Sequence, residues 1–403
     1  MTSLSDQLLK LGSALHACQH LWQPEPFLCS ASPWSESESK LDTALMALTH
    51  DEVETLIKSP ELCTQWLKNL VPDYIEPLLA WEPTTNNHRV DISQPAIAAG
   101  IPGRKWQQIN YFSDLIKPLT PLRSHLDWCS GKGYLATTLE HTHNIESSHC
   151  LEIDNHLCCS GRARAQSFNL QTQFHCCDVL QPLDSDLLSL GQRHTALHAC
   201  GGLHRSMLRQ ASEVAEQIIL APCCYHLYSD QTDSRLSSAA QKLSLVFDRN
   251  TLRLPLLETV TGGVRVQRLR ATELIWRLAY ENWRVETTGD TSYRSLASVP
   301  KVIFNQDPSG FFHWAAQQHG LEWEEKDLEP YLIVGRERFL LCERLGIVRQ
   351  GLKRFLEHLI VLDLGCYLEE RGFQVSITEF CPREVTPRNL AIVAVKKNLG
   401  LGR

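Results

Sequence analysis

No stretch of this 403-residue sequence is apolar over the roughly 20 residues that a bilayer-crossing helix needs. Residues 1–10 also lack the charged-then-apolar order of a secretory leader, so a cytoplasmic protein with no membrane partner is expected. None of the 15 cysteines form a Cys-x2-Cys pair, which removes the usual signature of a structural zinc site. Their odd number, the length of the chain and their frequent position inside apolar runs argue against a secreted disulfide scaffold. They fit reduced thiols serving as small core residues. Internal repeats and long low-complexity tracts are missing too, and the length suits two or three globular domains.

Charge is unevenly placed. Residues 1–100 contain 13 Asp and Glu against 5 Lys and Arg, so this part carries -8 of the net charge of -7 and the remainder is close to +1. Leu8, Leu11, Leu15 and Trp22, then Leu41 to Leu48 and Val53 to Leu70, recur at helical spacing. An acidic helical domain over 1–100 is expected, with loops at Ser30 to Ser39 and Trp81 to Asn87; it is suited to a protein partner rather than to nucleic acid. A core over 101–228 and 356–403 is expected to be interrupted by a mostly helical insertion over 229–355. From Arg249 to Lys301 there are 9 Lys and Arg against 5 acids, interleaved with Trp276, Tyr280, Trp283 and Tyr293, and Arg336 to Arg354 adds a second basic cluster. Cations beside aromatic rings suit a phosphate backbone with stacked bases, which makes RNA the expected partner of 249–354. The competing reading of Leu269, Leu274, Ile275, Leu278 and Trp283 is the apolar stripe of an amphipathic helix whose arginines form its wet face.

Five short apolar runs, each ending in polar residues or glycine, make up the core. They end near Asp127, Glu152, Asp178, His198 and His226, with helical spacers between them. This order predicts a doubly wound parallel α/β sheet whose ligand lies beyond the carboxyl ends of the strands. Gly131 and Gly133 let the backbone turn sharply after the first strand, and Glu152 follows at ribose-binding spacing. Phe373 to Phe380 and Leu390 to Val395 read as two further strands, and Leu356 to Gly372 as a helix with Gly372 as its C-cap.

These motifs resemble class I methyltransferases that use S-adenosylmethionine, with a Rossmann-like seven-stranded sheet. Asp127-Trp-Cys129-Ser-Gly131-Lys-Gly133 is similar to the family's acid-x-Gly-x-Gly-x-Gly motif, with Cys129 at the first glycine. The likeness is greater to a subgroup with Asp-x-Cys-x-Gly-x-Gly, His-x-Cys-Gly and Cys-Cys-Tyr or Cys-Cys-His-His motifs, which includes tRNA 2′-O-methyltransferases. Thr386 to Ile392 also resembles that subgroup. The resemblance implies S-adenosylmethionine as cofactor, with Asp127, Cys129, Gly131 and Gly133 about its methionine end, Glu152 on the ribose hydroxyls, Asp178 on the adenine amino group, and His198 also among the cofactor-binding residues. An NAD-binding domain fits less well, because its Gly-x-Gly-x-x-Gly/Ala fingerprint is matched only at the permissive final Ala136.

Three constellations are candidates for methyl transfer, drawn from His198, Cys200, Cys223, Cys224, Tyr225 and His226. A cysteine can add to pyrimidine C6, although the fourth strand ends His-Ala-Cys-Gly rather than Pro-Cys. The preferred option has His198, His204 or His226 assist deprotonation of the acceptor during direct in-line displacement. Zinc on His198, Cys200, Cys223, Cys224 and His226 is the third. Adjacent residues on a strand face opposite ways, so Cys223 and Cys224 are not expected to share an ion, and no metal is expected. Buried core thiols are an equally good reading of both. Lys105 and Gln108 are expected to face solvent, His204 to serve equally as a helix-opening residue, and Arg388 and Asn389 to cap a turn or face the site. The expected activity is S-adenosylmethionine-dependent methylation of RNA, tRNA or rRNA; a small-molecule or protein substrate, or a non-catalytic scaffold, is the alternative.

Overall fold

The computed structural model describes residues 3–85, 95–143, 145–228, 233–257, 264–305 and 307–397. One sheet organises the larger part. Its strands are β1 (Thr84–Thr85), β2 (Ser124–Trp128), β3 (Ser147–Glu152), β4 (Gln173–Cys176), β5 (Arg193–Cys200), β6 (Gln217–Cys223), β7 (Phe373–Glu379) and β8 (Leu390–Lys396). They lie in the order β1-β7-β8-β6-β5-β2-β3-β4, and only β8 runs antiparallel to its neighbours. All seven strands expected from the apolar runs are present. The two-residue β1 is an eighth, within the segment expected to be a loop; Asn86 and Asn87 of that loop lie outside the described residues.

Helices on both faces bury the central strands, which explains why β6 is a continuous buried run, whereas β4 and β7 stay partly exposed. The helix Gly103–Asp114 places Trp106, Ile109 and Phe112 in a core with Leu135, Leu139, Ile219 and Phe380. Asp154 caps the helix Asn155–Ser167 by accepting from the His156 and Leu157 N–H groups at 2.7 and 3.4 Å. Reversal of the chain order is concentrated between β2 and β5, where helices pass to opposite faces. In such sheets that crevice is where a ligand lies.

The chain divides into two compact units, one of residues 1–16, 77–256 and 355–403 and the other of 17–76 and 257–354. This redraws the expected domains. Residues 17–76 are not separate from the insertion but share a unit with it, because the two segments satisfy one another's polar groups. The Thr64 hydroxyl donates to Gly351 O at 2.8 Å, Arg344 to Leu48 O at 2.8 Å and the Cys342 thiol to Pro26 O at 3.1 Å. The helix expected from Leu356 begins earlier and spans Glu329–Glu369, while Gly372 just beyond it has the expected positive φ of 83°. Among the described residues no helix is long and apolar enough to cross a membrane.

The amphipathic reading of the insertion is the one observed. Val264–Thr288 is a helix, and Trp276, Tyr280 and Trp283 are buried with Phe311, Phe312 and Tyr331. These rings are therefore unavailable to stack on bases, contrary to the sequence reading. Leu269 is exposed rather than part of the stripe. Arg284 is fully buried against Glu281, whereas Arg265, Arg268 and Arg270 face solvent.

Candidate functional site

The carboxyl ends of β2, β3, β5 and β6 gather nearly every residue singled out by the sequence. After β2 the chain turns through Cys129, Gly131 and Gly133 at φ of 55°, 59° and 67°. A Cβ on Gly131 would meet nothing within 4 Å, so that side of the turn is open, whereas one on Gly133 would lie 2.5 Å from the Phe174 ring. The Gly131 N–H donates to Glu152 Oε2 at 2.8 Å and the Asp154 N–H to Oε1 at 3.0 Å. Both bonds fix the carboxylate across the turn, and each oxygen keeps a lone pair for a ligand hydroxyl. Asp178 lies just past β4, half-buried, with Oδ1 accepting from the Leu180 N–H at 2.9 Å.

Asp127 is 2 % exposed at the base of this opening. The Thr195 hydroxyl donates to its Oδ1 at 3.2 Å and in turn accepts from His125 Nε2 at 2.7 Å. Burial pushes the Asp127 carboxyl up to about 7, against the opposing pull of Lys105 and these hydrogen bonds. Its ionised form is thus poised to gain from an incoming cation.

Lys105 and Gln108 do not project into solvent as expected. Lys105 is half-buried, and its ammonium, with a pKa depressed by burial, interacts with Asp127, Cys223 and Cys200. The Gln108 side chain is buried, accepts from His198 Nε2 at 2.8 Å and donates to Val385 O at 3.3 Å. Solvation favours exposed cations, but these two residues share a helix face with the buried Ile109 and Phe112. That spacing is the signal that would have placed them. Nothing comparable marked Thr195 or His125, which stand within the apolar runs.

His198 has a φ of 75°, at the point where the β5–β6 register shifts. Burial, reinforced by Lys105, lowers its pKa to about 4, so the ring is neutral. Gln108 holds Nε2 as the donor and leaves Nδ1 as the acceptor. His204 is excluded as a base because its Nδ1 and Nε2 are engaged by Ala199 O at 3.0 Å and the Tyr228 hydroxyl at 2.8 Å in the core. Tyr225 is likewise corrected from a catalytic candidate to a core residue. It is fully buried, with its hydroxyl donating to Glu357 Oε1 at 3.2 Å. His226 is half-buried, and burial followed by Arg253 and Arg249 depresses its pKa.

The expectation that Cys223 and Cys224 face apart does not hold. Cys224 has left β6 and adopts φ 50°, ψ 46°, which swings its side chain back. As a result the Sγ atoms of Cys200, Cys223 and Cys224 all lie within 4.8 Å of one another, and Cys200 and Cys223 are 3.5 Å apart. Hydrogen bonding from Cys223 lowers the Cys200 thiol below its ordinary value despite partial burial, and Cys224 and Lys105 act in the same sense. Asn389 caps a turn by donating to Cys381 O at 2.9 Å, while the charge of Arg388 acts on Cys224 and Tyr225.

Residues 104–231 match the model of a family described as a methyltransferase domain. The segment thus carries a methyltransferase domain, and S-adenosylmethionine is the cofactor that such a domain implies. No curated protein matches the chain. Among solved structures it is similar to an S-adenosylmethionine-dependent methyltransferase from Clostridium acetobutylicum, at 12 % identity and a TM-score of 0.25, covering 32 % of this chain and 53 % of that one. A geranyl diphosphate C-methyltransferase from Streptomyces coelicolor A3(2), crystallised with Mg2+, geranyl diphosphate and S-adenosyl-L-homocysteine, is 12 % identical (40 % and 63 % covered, TM-score 0.26). Coclaurine N-methyltransferase bound to N-methylheliamine and S-adenosylhomocysteine is 14 % identical (46 % and 61 % covered, TM-score 0.29). The chain spans about half the length of the first such structures, 47 %, 53 % and 49 %.

Proposed function

We propose that this protein is an S-adenosylmethionine-dependent methyltransferase that acts on RNA, of the tRNA or rRNA class. One observation carries the methyl-transfer reading: Asp127, the Gly131 turn, Glu152 and His198 converge at the carboxyl ends of neighbouring strands, in a domain matched as a methyltransferase. S-adenosylmethionine, when bound, supplies an electrophilic methyl group on a sulfonium centre. The open side of Gly131 admits the ligand backbone, the buried Asp127 carboxylate faces its cationic amino-acid end, and Cys129 and Gly133 shape the same wall. Glu152 takes the ribose hydroxyls and Asp178 the adenine amino group. These roles fit acceptor-only carboxylates facing paired donors.

His198 is the group best placed to receive a proton from the accepting hydroxyl or nitrogen, through Nδ1, while catalysis rests mainly on in-line positioning. Gln108 is a positioning residue for that ring. Gln108→Leu is expected to lower the methyl-transfer rate by about 10- to 100-fold, short of the about 100- to 10,000-fold that full general-base assistance supplies, because the ring itself remains. Binding of S-adenosylhomocysteine should change less than threefold; an unaltered rate would remove His198 from the chemistry.

The RNA part of the reading rests mainly on charge, since Trp276, Tyr280 and Trp283 are buried and, of the four rings named above, Tyr293 alone is exposed. Arg265, Arg268 and Arg270 form an exposed basic run on the helix Val264–Thr288. Replacing all three by Glu should weaken RNA binding and flatten its salt dependence by a slope of about 2, as expected for three lost phosphate contacts on single strands. Cofactor binding serves as the control. Salt-independent RNA binding, or unaltered labelling of RNA from S-adenosylmethionine, would redirect the search to small molecules and proteins. The acidic helices of residues 17–76 remain suited to a protein partner.

A further inference from the structure

We propose that Cys200, Cys223 and Cys224 form a three-thiolate site for a zinc(II) ion at the ends of β5 and β6. Tetrahedral zinc with Zn–S bonds of about 2.3 Å sets its sulfurs roughly 3.8 Å apart. The three Sγ atoms here have one pair at 3.5 Å and none beyond 4.8 Å, so small side-chain rotations complete the arrangement.

This convergence is not a by-product of strand geometry. A regular strand would send residues 223 and 224 to opposite faces, and it is the left-handed backbone of Cys224 that brings both thiols to one side. On the neighbouring strand, the positive φ of His198 and the register shift between Leu197 and Cys200 reposition the third. Residues other than glycine rarely adopt this region, and such strain gathers where function maintains it.

Charge and access agree with an ion. Three thiolates and a divalent cation leave one net negative charge, and the Lys105 ammonium interacts with both Cys200 and Cys223. Cys223 is buried while Cys200 and Cys224 are half-buried, and Cys200 lines a cavity of about 490 Å³. Three protein ligands with a fourth position left to water or substrate are the arrangement of a catalytic rather than a structural zinc. Loading releases the thiol protons to solvent, with no change in oxidation state. The same cysteines are thereby reassigned from candidate nucleophiles to ligands.

The proposal does not depend on methyl transfer, and its test reads the metal directly. The full chain, purified under reducing conditions and stripped by chelator, is titrated with zinc(II) against a chromophoric chelator, and with cobalt(II) as a spectroscopic probe. The expected result is one zinc per chain, three fewer titratable thiols on loading, and an intense thiolate-to-cobalt band with tetrahedral ligand-field transitions. Cys200→Ser and Cys224→Ser should each lower zinc affinity by at least about tenfold, with circular dichroism confirming that the variants fold. Failure of the reduced wild-type chain to hold stoichiometric zinc would overturn the site. So would wild-type zinc affinity in both serine variants, or a Cys200–Cys223 disulfide as the resting state.

Discussion

Asp127→Asn is expected to weaken binding of S-adenosylhomocysteine by about 10- to 100-fold, the value of one charge-assisted hydrogen bond, while stabilising the unliganded chain at pH 8. The two effects have one origin. Burial raises the Asp127 carboxyl to about 7, so in the folded chain its ionisation is opposed. A carboxyl whose folded pKa lies above its ordinary value of 3.8 contributes stability that is complete below that value. This contribution is lost as pH rises through about 7. Asparagine keeps the size and removes the charge, so the gain in urea midpoint should appear at pH 8 and vanish near pH 4; the unpaired Lys105 will limit it. In the wild type, a cationic ligand favours the ionised carboxylate, and affinity should therefore rise severalfold from pH 6 to pH 8 and then level off. The Asn variant should lack that rise. Calorimetry across this range checks both, and equal affinity in wild type and variant would remove Asp127 from the cofactor site.

Gly201→Ala should be the most destabilising single methyl addition near the site. Gly201 lies at φ 57°, ψ -123°, a region that side chains with a Cβ rarely enter. A Cβ there would stand 2.4 Å from Leu227 Cβ and 2.5 Å from Leu227 O, so backbone must move. The Gly201 N–H also donates to Cys223 O at 3.1 Å, which ties the displacement to the thiol cluster. Backbone strain of about 1–3 kcal/mol and overpacking of about 1–3 kcal/mol together should lower the unfolding free energy by several kcal/mol. The neighbouring Gly202→Ala is the control, since its Cβ would make ordinary contacts of 3.6 Å with Leu180 and 3.9 Å with Leu227 O. Equal urea midpoints for the two variants would contradict the geometry.

The seven strands were legible because each is a short apolar run closed by polar residues, and in the central strands β2, β3 and β6 burial on both faces leaves no alternation to misread. Gly131 and Gly133 were legible for the same local reason, since a sharp turn before a helix demands their backbone freedom. What escaped were features decided by distant parts of the chain. The two-residue β1 exists only through its pairing with β7. The helix Glu329–Glu369 hid its first half because that part packs among other segments rather than continuing the core pattern. Residues 17–76 share a unit with 257–354, though nearly 200 residues separate them. Trp276, Tyr280 and Trp283 looked like stacking platforms among arginines, but they form an aromatic core, and only tertiary structure distinguishes the two. Within the site, the assumption that neighbouring cysteines alternate failed at a single left-handed residue, Cys224.

The most direct test of the methyltransferase account is calorimetric titration of the purified chain with S-adenosylhomocysteine, repeated on Glu152→Ala. The account requires one site per chain in the wild type, and a loss of at least about tenfold in affinity when the carboxylate spanning the Gly131 turn is removed. No binding to the wild type, or binding that is indifferent to Glu152, would mean that the ends of these strands serve another ligand.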